Sequence, residues 1–449
     1  MNSLRRNNLY IRPQVGASGS LAEKVRLADK VECSLQSQRT DTSSHPQLHS
    51  AVLPCGKRLP SALLFLLLIV LAALPCAWAQ QLRINNSTSI DRTEEVVELP
   101  LSRLAGHLRF SAAQMQSLVA TDTATERRIS SQLYSSRPGG DPDTLLLLVK
   151  LPAKGTMNVA FHLDPAPQPQ ESLVFGRAIP ERKDDFAWEN KVAAYRIYGP
   201  ALEATGEISS GIDVWSKRIP NFVVNSFYQQ DHEAAVTHNS ALSYHNDNGI
   251  GLDSYDVGPS RGCGGTAVWS DGKLDVSKNY TVAKILATGP IRFEFEVSYA
   301  PWPAGGRMVT ETKRITLDAG SHLNKIVSTY MFDGGSSIDL AAGIAIHEGG
   351  VTTLPLGKSI ASVWDTPQKP SAGRIATGLI SLPTQHATTM TAANHALMLF
   401  KRHSGESFTY FAGSGWSKAD MPTQKDWNTY LLRFEELREH PVAVTWIKR

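Results

Sequence analysis

Strict alternation of apolar and polar residues in short segments restricts the possible folds of this chain more than any other feature of its sequence. Residues 292–299 read RFEFEVSY, and residues 312–317 follow the same rule more loosely. A period of two is typical of a β-strand with one buried face. Turns such as Gly289-Pro290 and Gly349-Gly350 separate such segments, at a spacing of about 8–12 residues that is typical of β-sandwiches. The sequence therefore predicts a mainly β fold, a large antiparallel β-sandwich with few short helices.

Further strands are predicted at 95–99, 145–151, 157–163, 192–198, 280–287, 324–332, 340–346, 374–382, 396–401 and 407–413. A helical pattern is found in two places only. Residues 111–119 are predicted to form one or two turns. Residues 425–437 are predicted to form a longer helix that begins after Thr423, because apolar side chains recur at helical spacing and threonine is a good N-cap.

A secretory signal peptide is predicted at residues 51–79. Lys57 and Arg58 precede the apolar run 62–74, and a small-x-small motif ends at Ala79. The run is shorter than the roughly 20 residues that cross a membrane, so a transmembrane anchor is the weaker alternative. We expect cleavage near Ala79, a periplasmic or extracellular mature chain, and no membrane span in that chain.

Residues 1–50 are polar and precede the predicted signal peptide. They are interpreted as a start codon placed too early or as a disordered extension. The mature chain divides into a small β-rich N-terminal portion, 82–168, and a large β-sandwich domain, 170–449, because the Pro-rich stretch 164–169 lies between them.

Composition excludes some classes of partner. The chain has 45 Lys and Arg against 42 Asp and Glu, and no basic run, so no nucleic-acid partner is predicted. Three of the four cysteines precede Ala79, and only Cys263 follows it. The mature fold is therefore expected to lack an internal disulfide, with Cys263 as a packed residue.

The segment 244–265, YHNDNGIGLDSYDVGPSRGCGG, is the main candidate for a functional site. It carries five reactive side chains among glycines: His245, Asp247, Asp253, Tyr255 and Arg261. Glycines allow a backbone to approach a ligand closely, and functional groups concentrate on loops of this kind. His245 suits general acid–base catalysis near neutral pH, and Arg261 suits a bidentate contact with a carboxylate. No cofactor is predicted; a divalent cation held by His245 and the aspartates is an alternative, although the spacing matches neither an EF-hand loop nor a zinc motif such as H-E-x-x-H.

Three other segments supply candidates for binding a sugar. Trp188 and Trp215 offer flat apolar faces on which a pyranose ring can stack. The cations near them are candidates for a carboxylate or hydroxyl groups: Arg182, Lys183 and Lys217. His347, beside Glu348 at the end of a predicted strand, is a second candidate histidine.

Six sequence blocks together resemble a bacterial family known as domain of unknown function 4861. They are PERKDDFAWEN, AYRIYGPAL, SGIDVWSKR, the segment 244–265, DGKLDVSKNYTVAKILATGPIR and KRITLDAGSHLNK. The resemblance runs from about Asn85 to Trp446. It implies a galactose-mutarotase-like sandwich and a secreted, carbohydrate-active protein of bacteria that degrade uronic-acid polysaccharides.

The expected function is β-elimination on a uronic-acid-containing oligosaccharide or polysaccharide, by a dehydratase or a lyase. His245 is the expected base, Tyr255 the acid, Arg182 or Lys217 the carboxylate partner and His347 a second site residue. An epimerase or mutarotase is one alternative, and a glycoside hydrolase with Asp247 and Asp253 as paired carboxylates is another. A non-catalytic protein that binds carbohydrate through Trp188, Trp215 and Trp302 is the third.

Overall fold

A computed structural model describes residues 81–108, 110–111, 113–356 and 359–447. The expected signal peptide and the 1–50 extension lie outside these residues. The fold is mainly β, with antiparallel sheets and few helices, which confirms the predicted class. Within the described residues, no helix has the length and apolarity needed to cross a membrane.

The strands, in chain order, are β1 Gln81–Asn85, β2 Arg92–Pro100, β3 Leu118–Asp122, β4 Arg128–Ile129, β5 Ser131–Tyr134, β6 Thr144–Leu151, β7 Thr156–Leu163, β8 Val174–Ile179, β9 Asp185–Asn190, β10 Ala194–Ile197, β11 Asp213–Lys217, β12 Gly251–Leu252, β13 Cys263–Ser270, β14 Lys273–Asp275, β15 Val282–Thr288, β16 Arg292–Ser298, β17 Trp302–Ala304, β18 Arg307–Asp318, β19 Leu323–Phe332, β20 Ile338–Ala345, β21 Val351–Leu356, β22 Ile360–Asp365, β23 Ile375–Ile380, β24 Thr388–Ala392, β25 His395–Arg402, β26 Ser407–Trp416 and β27 Ala443–Trp446. The α-helices are α1 Leu101–Leu108, α2 Val224–Thr237 and α3 Gln424–Glu439.

The central sandwich consists of three sheets. A nine-stranded sheet has the order β15-β16-β18-β19-β26-β23-β22-β21, with β17 paired to β18. Two five-stranded sheets, β12-β11-β10-β9-β8 and β14-β13-β20-β25-β24, cover its inner face. Phe295 of the large sheet stacks on Phe186 of the first small sheet at 4.3 Å, and Phe408 stacks on Phe400 of the second at 4.6 Å. Alternation in β16 therefore places its phenylalanines in the core.

Two smaller sheets form the N-terminal part, in the orders β27-β1-β7-β3-β4 and β2-β6-β5, around a second core. The last strand, β27, pairs with β1, so that Trp446 lies opposite Leu82. Residues from the C-terminal end of the chain thus complete the sheet of the 82–168 portion. The division into 82–168 and 170–449 stays a prediction.

The helices were predicted only in part. Helix α3 is confirmed, and Thr423 forms a capping box with Asp426. The segment 111–119 contains one short 3₁₀ turn, Ala113–Ser117, followed by β3. The expectation of only two helical segments is wrong, because α1 and α2 were missed. Only three of the fourteen residues of α2 are buried, so its sequence carries a weak apolar stripe.

Candidate active site

The candidate site lies on the outer face of the sheet β12-β11-β10-β9-β8. Side chains alternate along each strand, so Tyr195 points into the sandwich core while Ala194 and Arg196 point outward. Helix α2 and the loop after it cover this outer face with Phe227 and Tyr244. A set of charged groups lies beneath that cover.

Arg196 is the centre of this set, which we call the Arg196 cluster: Arg196, Asp185, Asp213, Tyr244 and Asp253. The guanidinium donates to Oδ2 of Asp213 from Nε at 2.9 Å and from Nη2 at 2.5 Å. It also donates to the Tyr244 hydroxyl at 2.9 Å and to Oδ2 of Asp253 at 3.3 Å. Oδ2 of Asp185 lies 3.9 Å from Nη1. All five side chains are buried.

Three carboxyl groups share this one guanidinium, so they cannot all remain ionised at low cost. Burial, and then the neighbouring Asp213, raise the pKa of Asp253 well above its usual value. Burial likewise raises the pKa of Asp213, and it raises that of Asp185 to about 6. The cluster therefore favours the protonated form of its carboxyl groups more strongly than water does.

His245 lies at the edge of the Arg196 cluster and is about half exposed, at 47 % of its side chain. Its ring stacks on Tyr244 with centroids 4.4 Å apart. Nδ1 lies 3.2 Å from the main-chain carbonyl oxygen of Asp253 and 3.6 Å from Oδ2 of the same residue. A carbonyl oxygen only accepts, so Nδ1 carries the hydrogen and Nε2 keeps its lone pair.

Electrostatics favour the neutral form of this imidazole. Burial lowers the pKa of His245 below its usual value; the bond to Asp253 opposes that shift, and the positive charge of Arg196 adds to it. The side chain is therefore an uncharged base at neutral pH, with an accessible side.

His347 is held differently. Nδ1 lies 2.5 Å from Oδ2 of Asp365, and Nε2 lies 2.7 Å from the carbonyl oxygen of Asp256. Both partners are acceptors, so both ring nitrogens carry hydrogens. Burial lowers the pKa of His347, but the hydrogen bond and charge of Asp365 outweigh it, and the net shift is upward. His347 is a charged, fully bonded group in this structure rather than a base.

Tyr255 does not share a surface with His245. Its side chain is only 4 % exposed, and its ring packs edge-on against His347 at 5.2 Å. Burial raises the pKa of its hydroxyl well above the usual value. The expected pairing of His245 as base with Tyr255 as acid is not formed, because the phenol lies inside the packed core.

The tryptophans expected to stack on a sugar are core residues. Trp188 is fully buried and donates from Nε1 to Asn324 at 2.7 Å. Trp215 packs against Phe227 of α2, and Trp302 is 7 % exposed. An indole face that is covered by protein is not available to a pyranose ring, so the expected exposed platforms are absent from these three positions.

Two of the expected binding cations have internal partners. Lys217 is buried and donates to Oε2 of Glu189 at 2.7 Å and to the carbonyl of Asn190 at 2.5 Å. Arg261 is also buried and donates to Ser210 at 2.9 Å and to the carbonyl of Thr266 at 3.1 Å. Neither side chain is placed to clamp a substrate carboxylate.

The remaining candidates lie at the surface. Arg182 is 28 % exposed, and its ion contacts with described residues are long, 3.7 Å to Asp231 and 3.8 Å to Glu207. Lys183 is exposed beside it. Asp247 is paired with Arg218. Asp231 of α2 also raises the pKa of His245, so Arg182 and His245 have this carboxylate as a common neighbour.

The structure thus unites His245 and Asp253 with groups that the sequence did not single out: Arg196, Asp213 and Tyr244. The sequence does contain a signal for Arg196 and Asp213. Each is a charged residue within an otherwise apolar strand, AYRI and GIDVW respectively, and charged residues are rarely buried without a partner. No group of three or more His, Cys, Asp or Glu in the described ranges is arranged to hold a metal ion. A divalent cation stays an untested alternative.

A known family and a known protein resemble this chain in sequence. The model of the family described as Domain of unknown function (DUF4861) matches residues 84–444. The chain belongs to this family. A relative from Formosa agariphila named Uncharacterized protein P7 is 28% identical over 382 residues, covering 81% of this chain and 92% of that protein.

Solved structures show more distant similarity. An alpha-mannosidase from Enterococcus faecalis V583 aligns with 83% of this chain and 46% of its own, at 9% identity and a TM-score of 0.41. A glycosyl hydrolase family 38 protein from Enterococcus faecalis aligns with 84% of this chain and 48% of its own, at 10% identity and a TM-score of 0.44. This DUF4861 chain spans about half of the length of the solved structures that it matches.

Proposed function

We propose that this DUF4861 protein is a secreted, carbohydrate-active enzyme that acts on uronic-acid-containing oligosaccharides by β-elimination. The class of substrate comes from the family resemblance, and the class of reaction from the candidate site. The single observation that supports the reaction is the state of His245, a neutral imidazole with its Nε2 lone pair free on a half-exposed ring.

The proton acidified by a uronate carboxylate is the one that this base would remove. His245 Nε2 takes the proton α to the carboxylate, the electrons of that C–H bond form the C=C bond, and the bond from the β carbon to its oxygen breaks. The leaving oxygen then takes a proton, and the imidazolium just formed is the nearest donor. One residue thereby serves as base and then as acid, so Tyr255 is not needed for this sequence of steps.

Arg182 is the cation best suited to the substrate carboxylate. Its contacts to Asp231 and Glu207 are long, so a closer bidentate carboxylate can displace them at little cost. The buried Lys217 would have to break a 2.7 Å ion pair inside the protein to do the same. Arg182 therefore replaces Lys217 in the proposal.

Product analysis tests the reaction class. The full chain is incubated with uronate oligosaccharides, and the products are followed by ultraviolet absorbance and by mass. We expect an unsaturated product; loss of water identifies a dehydratase, and a shortened chain identifies a lyase. Shortened saturated products would indicate a hydrolase, and an unchanged mass with altered configuration would indicate an epimerase. Either result would replace β-elimination.

The non-catalytic alternative has less support. It depends on Trp188, Trp215 and Trp302 as binding faces, and all three are buried. The hydrolase alternative depends on Asp247 and Asp253, of which the first pairs with Arg218 and the second lies beneath His245 in the Arg196 cluster.

A further inference from the structure

A cleft of about 810 Å³ lies on the opposite side of the nine-stranded sheet from its core face. Strand β2 forms one wall and helix α3 the other, while Lys325 and Phe411 of the sheet form part of its floor. The Arg196 cluster is carried by a different sheet, and none of its residues lines the cleft. The proposed reaction therefore leaves this volume without a role.

Three of the five basic side chains in the cleft are neutralised by the protein. Arg292 makes a bidentate pair with Asp318 at 2.6 and 2.8 Å and bonds Glu98 at 2.8 Å. Glu95 pairs with both Arg92 and Arg438. These ion pairs connect β2 to the sheet and to α3, and they fix the walls of the cleft.

The other two basic side chains are exposed and lack such partners. Within the part of the chain that the structure describes, no carboxylate lies at ion-pair distance from Lys325 or Arg433. Lys325 projects from the floor and Arg433 from α3. The carboxylates of Asp91 and Glu94 also line the cleft and make no ion pair within the described residues. The two cations therefore offer local contacts to acidic groups of a ligand, within a lining that carries both signs of charge.

The remaining lining fits a sugar better than a simple anion. Phe434 lies edge-on to Phe411 at 5.1 Å and near Tyr430 at 6.2 Å, so apolar ring surface borders the cations. Glu94 faces the cleft beside Gly320, where an added Cβ would fall 1.8 Å from Oε2. A carboxylate accepts from hydroxyl groups but repels a phosphate or a sulfate ion. Donors, an acceptor and aromatic rings together are typical of saccharide sites.

We propose that this cleft is a second, non-catalytic binding site for an anionic oligosaccharide, with Lys325 and Arg433 as the groups that recognise its acidic substituents. The proposal deepens the proposed function and rests on it for the saccharide class, but it does not depend on His245. Such a site would hold a long chain on the enzyme while another stretch reaches His245.

Calorimetric titration of the full chain tests this. The His245→Ala variant, which should not turn over ligand, is titrated with a uronate tetrasaccharide, a sulfated tetrasaccharide and a neutral one. We expect two anionic molecules to bind per chain. Lys325→Gln and Arg433→Gln should each weaken one of the two sites by about tenfold or more, because each removes a charge-assisted contact. The anionic tetrasaccharide that binds the cleft more tightly shows whether the acidic substituent it recognises is a carboxylate or a sulfate.

Lys425→Gln is the matched control, since Lys425 is an exposed cation on the same helix but does not line the cleft. If one ligand molecule binds per chain, and Lys325→Gln and Arg433→Gln each abolish its binding, the result would support the cleft site. The same result would count against substrate binding at His245. Binding that neither cleft variant changes, equal affinity for the neutral tetrasaccharide, or no binding at all would overturn the cleft proposal.

Discussion

The roles of His245, His347 and His395 follow from what the two ring nitrogens of each face. His347 faces two acceptors and is held as a cation. His395 faces one donor and one acceptor. Its Nε2 accepts from the main-chain N–H of Arg261 at 2.9 Å, and its Nδ1 donates to the carbonyl of Ala393 at 2.6 Å. Such a ring must be neutral. His245 is bonded on one side only, so its second nitrogen remains available for chemistry.

Protonation of His395 is expected to destabilise the fold. Burial lowers its pKa to about 4. Between that value and the usual 6.5 the unfolded chain binds the extra proton and the folded chain does not, so stability falls as pH falls. The loss from this group reaches about 3 kcal/mol near pH 4. The free energy of unfolding in urea, compared between pH 7 and pH 5, measures this dependence of stability on pH. His395→Gln should lower stability at pH 7 and show a weaker pH dependence; an unchanged dependence would contradict the assignment.

The pH dependence of activity should follow His245. A base works only when unprotonated, so kcat/KM should fall as pH falls through the pKa of the imidazole. That pKa is lowered, so the acidic limb should lie below pH 6.5 rather than at or above it. A pH profile on a uronate oligosaccharide measures this. An acidic limb above pH 7 would show that another group titrates.

At the scale of elements, α2 depends on one carboxylate of the sheet beneath it. Val223, the residue before the helix, provides no side-chain cap. Instead, Glu189 of β9 accepts from the N–H groups of Val223 at 2.9 Å and Val224 at 2.8 Å, and it also binds Lys217. A negative charge is favourable at a helix N-terminus, so this residue holds the cover of the Arg196 cluster in place.

Loss of Glu189 should therefore be severe. Glu189→Ala leaves the ammonium of Lys217 buried without its carboxylate, at a cost of about 3–5 kcal/mol. Replacing both partners by methionine should cost less than this single change, because no unpaired charge remains. Chemical unfolding compares the variants, with the exposed Glu233→Ala of the same helix as control. A loss below 1 kcal/mol for Glu189→Ala would mean that the pair and the cap contribute little.

At the scale of the whole molecule, the sequence predicted the sandwich well because its strands alternate. Apolar side chains recur at every second residue of β16, and burial alternates along most of β18 and β19; this pattern is local. Helix α2 was missed because tertiary contacts and Glu189, rather than an apolar stripe, stabilise it.

The site was predicted only in part. His245 and Asp253 lie together because they belong to one loop. Arg196 and Asp213 join them through strand pairing, which spacing along the chain does not reveal. Trp188 and Trp215 were misjudged because both faces of the sheet β12-β11-β10-β9-β8 are covered, one by the sandwich core and the other by α2.

In the proposed reaction, His245 performs the proton transfer. The most direct measurement compares the rate of unsaturated-product formation by the unaltered protein, His245→Ala and His232→Ala on a uronate oligosaccharide. His232 is an exposed histidine of α2 and serves as the matched control. We expect His245→Ala to lose about 10²–10⁴-fold in rate while keeping its fold, and His232→Ala to keep full activity. Product formation by a folded His245→Ala at the unaltered rate would contradict this expectation.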